Sequence, residues 1–389
     1  MYYPETEKYR CVIMRGGTSK GIFLLENDLP LEAELRDKVI LNIFGSPDKR
    51  QIDGLGGADT LTSKLAIIGP SSREDAEVNY TFGQVDLTSS FIDYGSNCGN
   101  ISSAVGPYAI QQGLVKAVEP ITKVRIYNTN TKKTFVSEVP VENGRPKETG
   151  DFKLAGAPRT GARINLDFAG TAGAQTGKLL PTGRVKDILD VEGVGEVTVS
   201  LVDAASATVF IKAADLGLTG GETPQEIDSD PQLLDKLEKI RAKGAEKMGI
   251  VKKWQDAVTG MRAAPLIALV APSLDYVDFI TGSTIQAETM DFAARCIFMQ
   301  VTHKTYSATC TVCTGAAALL PGTVVNEVMR KDRDEKEPVR FGHPGGIIDI
   351  DARVEKEGGE FVLKRAAVGR TARRIMEGYA YVPYQYLQD

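Results

Sequence analysis

A short pattern occurs twice in this chain. Tyr94-Gly-Ser-Asn-Cys98-Gly-Asn100 leads into the small-residue run Ile101–Ile110, with Pro107 inside it. Tyr306 to Cys313-Thr-Gly315 leads into Ala316–Leu320, closed by Pro321. Each copy has a tyrosine, then a cysteine, then glycine and a run of residues suited to a tightly packed helix. The cysteine-to-proline spacing agrees within one residue. This echo predicts two pseudo-repeated domains that each aim a helix N-terminus at a shared cleft. Length agrees, because 389 residues fit about two domains of roughly 150–200 residues each. From Gly150 to Pro181 the composition shifts to Gly, Ala, Thr and Pro, which reads as irregular connection with a boundary near Leu180. The expected domains are 1–180, with the last residues 381–389 as a candidate addition, and 181–380.

Helical spacing marks Pro30 to Phe44, where Leu35, Val39, Ile40 and Ile43 recur and Gly45 supplies a stop. Another helix is predicted after Asp230, which can cap, with Pro231 in the first turn and Leu233, Leu234, Leu237 and Ile240 on one face. Met290–Gln300 also reads as a helix. Apolar runs at Cys11–Met14, Ile22–Leu25, Leu65–Ile68, Val197–Leu201, Thr208–Lys212 and Pro265–Val270 read as strands, as does the imperfect alternation of Tyr80, Phe82, Val85 and Leu87. Lys123 to Pro140 reads as a β pair turning at Asn128–Lys133. Many antiparallel-looking strands with a few helices predict an α+β class.

The 46 basic and 51 acidic residues give a net charge of −5 with no sustained basic run, which argues against a nucleic-acid partner. Five cysteines, Cys11, Cys98, Cys296, Cys310 and Cys313, are too few and unpaired in number for a disulfide framework. Met1 to Tyr9 lacks the apolar stretch of a signal peptide, and the longest apolar run, Ala263–Ala271, falls far short of the about 20 residues a membrane helix needs. A cytoplasmic protein with reduced thiols and no membrane partner is expected. Oligomeric state stays open, with a homo-oligomer allowed.

Only two histidines occur, His303 and His343, and neither a Ser-His-Asp nor an HExxH pattern is present. Cys310-x-x-Cys313 has zinc-ligand spacing but no second pair, so no metal is expected. Arg15-Gly-Gly-Thr-Ser-Lys20-Gly21 lacks phosphate-loop spacing; it reads equally as a Gly-rich turn whose amides bind an anion and as a plain hairpin turn with solvated Arg and Lys. Cys98 precedes a predicted helix, where unpaired N–H groups favour a thiolate fit for acid–base work. The alternative for it is a small buried hydrophobe, against which the polar Asn-Cys-Gly-Asn setting weighs. Lys64 sits where a Gly-rich loop meets an apolar strand; desolvation would make it a base, whereas a lysine that snorkels to water is the commoner case.

In their order, MRGGTSKGIFL, DGLGGADTLTSKLAIIGPS and YGSNCGNISSAVGP, followed by VRIYNTNT, GHPGG and RTARRIMEGYAYVP, resemble the PrpF family from Arg10 to Pro383. That family includes enzymes acting on 2-methylaconitate, 4-oxalomesaconate and 3-methylitaconate, and FGSPDKRQIDG and HKTY…CTG look most like its 3-methylitaconate branch. The resemblance implies a diaminopimelate-epimerase-like fold: two similar domains, each a curved sheet around a central helix, with the active site in the cleft. It implies catalytic roles for Lys64 in TSK and Cys98 in NCGN, and places Cys313 at the echo position, where epimerases carry a second cysteine. It further implies a cofactor-independent isomerase whose partner is a small unsaturated di- or tricarboxylate, with a two-cysteine epimerase or a non-catalytic carboxylate-binding protein as alternatives. Arg15, Thr18, Ser19 and the turn carrying His343 and Gly345 are candidates for holding carboxylates. Helix starts near Gly99 and Gly315 are candidates for stabilising the intermediate, and Asn97, Asn100, Cys313 and Thr314 complete the set. Arg370 and Arg374 are expected on a late helix in structural roles.

Overall fold

The structure, a computed structural model, describes residues 5–95, 97–154, 156–261 and 264–387. In chain order its main elements are β1 (Thr6–Gly16), β2 (Ser19–Leu25), α1 (Ala33–Phe44), β3 (Lys64–Pro70), β4 (Val78–Val85), α2 (Gly99–Gln111), β5 (Ile121–Asn128) and β6 (Lys133–Glu142). There follow β7 (Asp187–Val191), β8 (Gly195–Ala204), β9 (Ser206–Lys212), α3 (Pro231–Lys247), β10 (Leu266–Pro272), β11 (Phe292–Phe298) and α4 (Ala308–Leu319). The chain closes with β12 (Val339–His343), β13 (Gly346–Glu357), β14 (Glu360–Arg370) and β15 (Ala372–Pro383).

Two compact units result: Met1–Leu166 with Gly369–Asp389, and Asp167–Val368. Both boundaries differ from those expected. The first comes before residue 180 because the Gly/Ala/Thr/Pro stretch is built into the second unit. There Phe168 N–H donates to the Ala366 carbonyl, and the Asp203 carboxylate accepts from the amides of Gln175 and Thr176. The second comes before residue 381 because all of β15 pairs antiparallel with β1, from Thr6↔Pro383 to Gly16↔Ala372. Arg370 and Arg374 accordingly lie on strands, where a late helix was expected.

The pairing senses show the repeat directly. In the first unit the order β15–β1–β2–β3–β4–β5–β6 runs antiparallel, antiparallel, parallel, antiparallel, parallel, antiparallel. In the second unit β7–β8–β9–β10–β11–β12–β13 repeats that series, and β14 extends it. Each sheet has an outer helix on one face and an apolar central helix on the other. Val39, Ile40, Ile43 and Phe44 of α1 pack on Ile22, Leu24, Leu65 and Ile67, while α2 touches strands from across the sheet. In the second unit Leu233, Leu237 and Ile240 of α3 cover Val209, Ile211, Ile267 and Leu269, and α4 lies against β8, β9 and β13.

Local signals explain the outer helices. Gly45 ends α1 in the left-handed region (φ 77°), its amide returned to the Leu41 and Asn42 carbonyls. Asp230 caps α3 by accepting from the amides of Gln232 and Leu233, both at 3.0 Å. The segment Met290–Gln300, expected as a helix, contains strand β11. Sandwiched between β10 and β12, its residues are buried on both faces until Phe298, and such a run has no periodicity that separates strand from helix. Among the described residues no helix is long and apolar enough to cross a membrane.

Candidate active site

Lys64 opens β3, and register fixes what it faces. Its antiparallel partner is Gln84, its parallel partner Gly21, and the alternation places Lys64, Phe82 and Gln84 opposite the Leu65 and Ile67 side that packs on α1. This is the face covered by α2. A Cβ at Gly21 would meet the δ-methyl of Ile101, and the Phe23 ring packs 5.4 Å from the Tyr108 ring. Lys64 is therefore level with the first turn of α2, whose N-cap is Cys98. Lys64 is 8% exposed, and its ammonium donates to Gln84 Oε1 at 2.7 Å and lies 5.4 Å from the centre of the Phe82 ring. A buried lysine held by a neutral amide and a ring face, with no carboxylate on it in the described contacts, is not a snorkelling lysine.

Cys98 has extended backbone (φ −114°, ψ 106°) and is half-buried, while the other four cysteines are buried. Its carbonyl accepts the first helical N–H from Ser102 at 2.9 Å and also the Ser102 hydroxyl at 2.9 Å. Neighbouring Asn97 accepts through Oδ1 from Ser102 Oγ (3.4 Å) and Asn128 Nδ2 (3.3 Å). Buried Tyr80, on the Lys64 face of β4, has its phenol pushed well above the ordinary range by burial, with Cys98 as a lesser cause.

The Gly-rich turn between β1 and β2 is pressed onto the same helix start. A Cβ on Gly16 would sit 2.5 Å from the Asn100 carbonyl oxygen, so the close approach requires glycine there. Asn100 Nδ2 donates to Thr18 Oγ1 at 3.0 Å, and Thr18 N–H donates back to Asn100 Oδ1 at 3.4 Å. Ser19, in phase with Gly21 and Phe23, shares the α2 face; it is 3% exposed and its hydroxyl makes no hydrogen bond. Arg15 is committed elsewhere. Its Nη1 donates to the carbonyls of Gly17 (2.7 Å) and Thr371 (3.0 Å) and to Thr371 Oγ1 (2.9 Å), and burial, with Arg373 nearby, lowers its pKa from the ordinary value. Through Nη1 it tethers the turn.

The second unit departs from the expectation. Helix α4 starts at Ala308 with Ser307 as N-cap, so the counterpart of Cys98 is Ser307 and not Cys313. Cys313, Thr314 and Gly315 lie in the second turn, fully buried. Cys313 Sγ donates to the Val202 carbonyl (3.3 Å), and burial pushes this thiol well up. Thr314 Oγ1 is 2.9 Å from Tyr306 Oη, and a Cβ on Gly315 would fall 2.7 Å from an Ile350 methyl. These three residues are packing residues, and no helix start exists at Gly315. Counterpart registers, Gly21↔Lys64 and Thr208↔Leu266, put a leucine where the first unit has its lysine. His343 is buried, its Nδ1 accepting from the Gly345 amide at 3.1 Å, and a Cβ on Gly345 would meet the Ile280 side chain at 2.5 Å. Both shape the β12–β13 turn.

Sequence reasoning misses Gln84, Asn128 and Asn130 as site residues. Gln84 has a legible signal, a polar residue ending the inward series Tyr80, Phe82, Gln84. Among the described residues no group of three or more His, Cys, Asp or Glu side chains is placed to hold a metal ion.

Comparison with known proteins identifies the family and the overall fold. The family model for PrpF protein matches residues 6–383. The chain is 55% identical over 372 residues to a 3-methylitaconate isomerase of Eubacterium barkeri, covering 96% of both chains. It is 40% identical to a 2-methyl-aconitate isomerase of Shewanella oneidensis, covering 98% of each. A crystal structure of methylitaconate-delta-isomerase superposes with TM-score 0.94 at 53% identity, covering 99% of this chain and 98% of that one.

Proposed function

The chain belongs to the PrpF family, and from that premise we propose that it is an isomerase shifting the C=C bond of a small unsaturated dicarboxylate of the 3-methylitaconate type by allylic proton transfer. The 55% identity to the Eubacterium barkeri enzyme favours this substrate over the tricarboxylates named for more distant relatives. One observation carries the chemistry: a buried lysine and an N-cap cysteine at the same end of α2, the lysine held by a neutral amide.

Moving the double bond takes one allylic proton off and returns one at the far carbon. Atoms and charge balance with no electron gained or lost. Removal of the proton spreads negative charge over a dienolate and its carboxylate. Lys64 and Cys98 act as one acid–base pair, one accepting the first proton and the other donating the second. The α2 amides beginning at Gly99 and the uncommitted Ser19 hydroxyl are the donors suited to the carboxylate on which charge grows. Thr18, fixed by Asn100, shapes the same wall.

A two-cysteine epimerase would need Cys313 beside a stereocentre, and Cys313 is enclosed in α4. The test is proton NMR of the purified protein with 3-methylitaconate, dimethylmaleate, both aconitates, 2-methylaconitate and 4-oxalomesaconate. Conversion of 3-methylitaconate ahead of the others supports the proposal. Preference for a tricarboxylate would replace the substrate, and exchange at a saturated stereocentre would replace the reaction.

A further inference from the structure

β4 has a gap in its pairing that a side chain closes. Its ladder with β5 ends at Tyr80↔Asn128, and its pairing with the two-residue strand Ile92–Asp93 begins at Gln84. Phe82 lies between, so on that edge its N–H and carbonyl have no strand partner. Asn130, just beyond β5, supplies both. Phe82 N–H donates to Asn130 Oδ1 (2.8 Å), and Asn130 Nδ2 donates to the Phe82 carbonyl (2.8 Å). The same Nδ2 donates its second proton to the Tyr94 carbonyl (2.7 Å). Asn128 Nδ2 donates to Asn130 Oδ1 (3.3 Å) and to Asn97 Oδ1 (3.3 Å), the residue before Cys98.

Phe82 carries the ring beneath the Lys64 ammonium, and Tyr94 stands at the start of the stretch that ends in Cys98. We propose that Asn130 is a positioning residue that fixes the Lys64 wall and the Cys98 segment to each other through one amide group, with Asn128 as its second tie. This rests on Lys64 and Cys98 being the acid–base pair. Only a side chain with both a carbonyl and an NH₂ group serves here, since the site asks for two acceptances and two donations. An aspartate keeps the shape and both acceptances but loses both donations and sets an anion against two carbonyl oxygens.

The experiment compares Asn130→Ala and Asn130→Asp with Asn326→Ala, a variant in the second unit that loses hydrogen bonds to Gly322 and Ala318 and touches nothing in the site. Four quantities are read: kcat and KM on the isomerised carboxylate, the rate of Cys98 alkylation by iodoacetamide, and Tm. Both Asn130 variants should lose roughly tenfold to a hundredfold in kcat with KM within about threefold. Cys98 alkylation should quicken by about threefold or more as the segment opens. Asn326→Ala should lower Tm without moving kcat, KM or the alkylation rate. Wild-type kcat and alkylation rate in folded Asn130 variants would overturn the proposal, as would equal effects from Asn326→Ala. Alkylation needs no substrate, so a wild-type protein inert toward unsaturated carboxylates would sink the functional assignment and leave the positioning of Cys98 still under test.

Discussion

Lys64 Nζ donates to Gln84 Oε1 at 2.7 Å, and Gln84 Nε2 is itself turned onto the carbonyls of Thr60 and Ser63, each at 3.2 Å. The amide is thereby oriented with its oxygen toward the lysine. A neutral acceptor steadies the ammonium without fixing its proton as a carboxylate would.

Gln84→Glu should therefore trap the proton on Lys64. We expect kcat at neutral pH to fall by about tenfold or more, with part of the activity returning at alkaline pH. A pH–rate profile of the variant beside wild type checks this, and superimposable profiles would refute it.

Gly16→Ala should damage stability and the site together, since its Cβ would collide with the Asn100 carbonyl oxygen at 2.5 Å and crowd Ile101 Cα at 3.1 Å. A loss of roughly 1–3 kcal/mol is expected in urea unfolding. Activity should fall further than that loss explains, because Cys98 is the N-cap of α2.

Cys313→Ala should leave kcat within about twofold of wild type while costing about 1–2 kcal/mol for the lost buried atom. Stopped turnover in the folded variant would restore the two-cysteine reading.

Glu222 predicts a pH effect on stability. Burial alone would raise its carboxyl, but the amides of Thr219 and Gly220 and the Thr219 hydroxyl hold it below the ordinary 4.5. A folded value below the unfolded one adds stability that is present above the unfolded value and is lost as pH falls through the folded one. Acidification below about pH 5 should therefore cost wild type more stability than Glu222→Gln, with the two curves converging at low pH. Chemical denaturation across that range checks the sign.

Much of this fold is legible in the sequence where a local rule acts alone. Gly45 and Asp230 mark helix ends by backbone conformation and capping, and the twin Tyr–Cys–Gly runs foretell two central helices. What is not legible depends on distant partners. β11 looks helical until β10 and β12 bury both its faces, and β15 joins the first unit by pairing with β1, far away in sequence. Aligning Cys98 with Cys313 matches letters, whereas the N-cap positions of the two central helices align Cys98 with Ser307. Lys64 is ambiguous as a sequence residue because its burial comes from Phe82, Gln84 and α2. Asn130 is invisible in that role because nothing local reveals that Phe82 lacks a strand partner.

The most direct test follows 3-methylitaconate by proton NMR in D₂O with wild type, Lys64→Ala and Cys98→Ser. Wild type should move the double bond and place deuterium at the carbon that is reprotonated. Both variants should fold as wild type does, bind the carboxylate and lose turnover by about a hundredfold or more. Wild-type-like turnover in either folded variant would contradict the claim that these two residues together carry the proton.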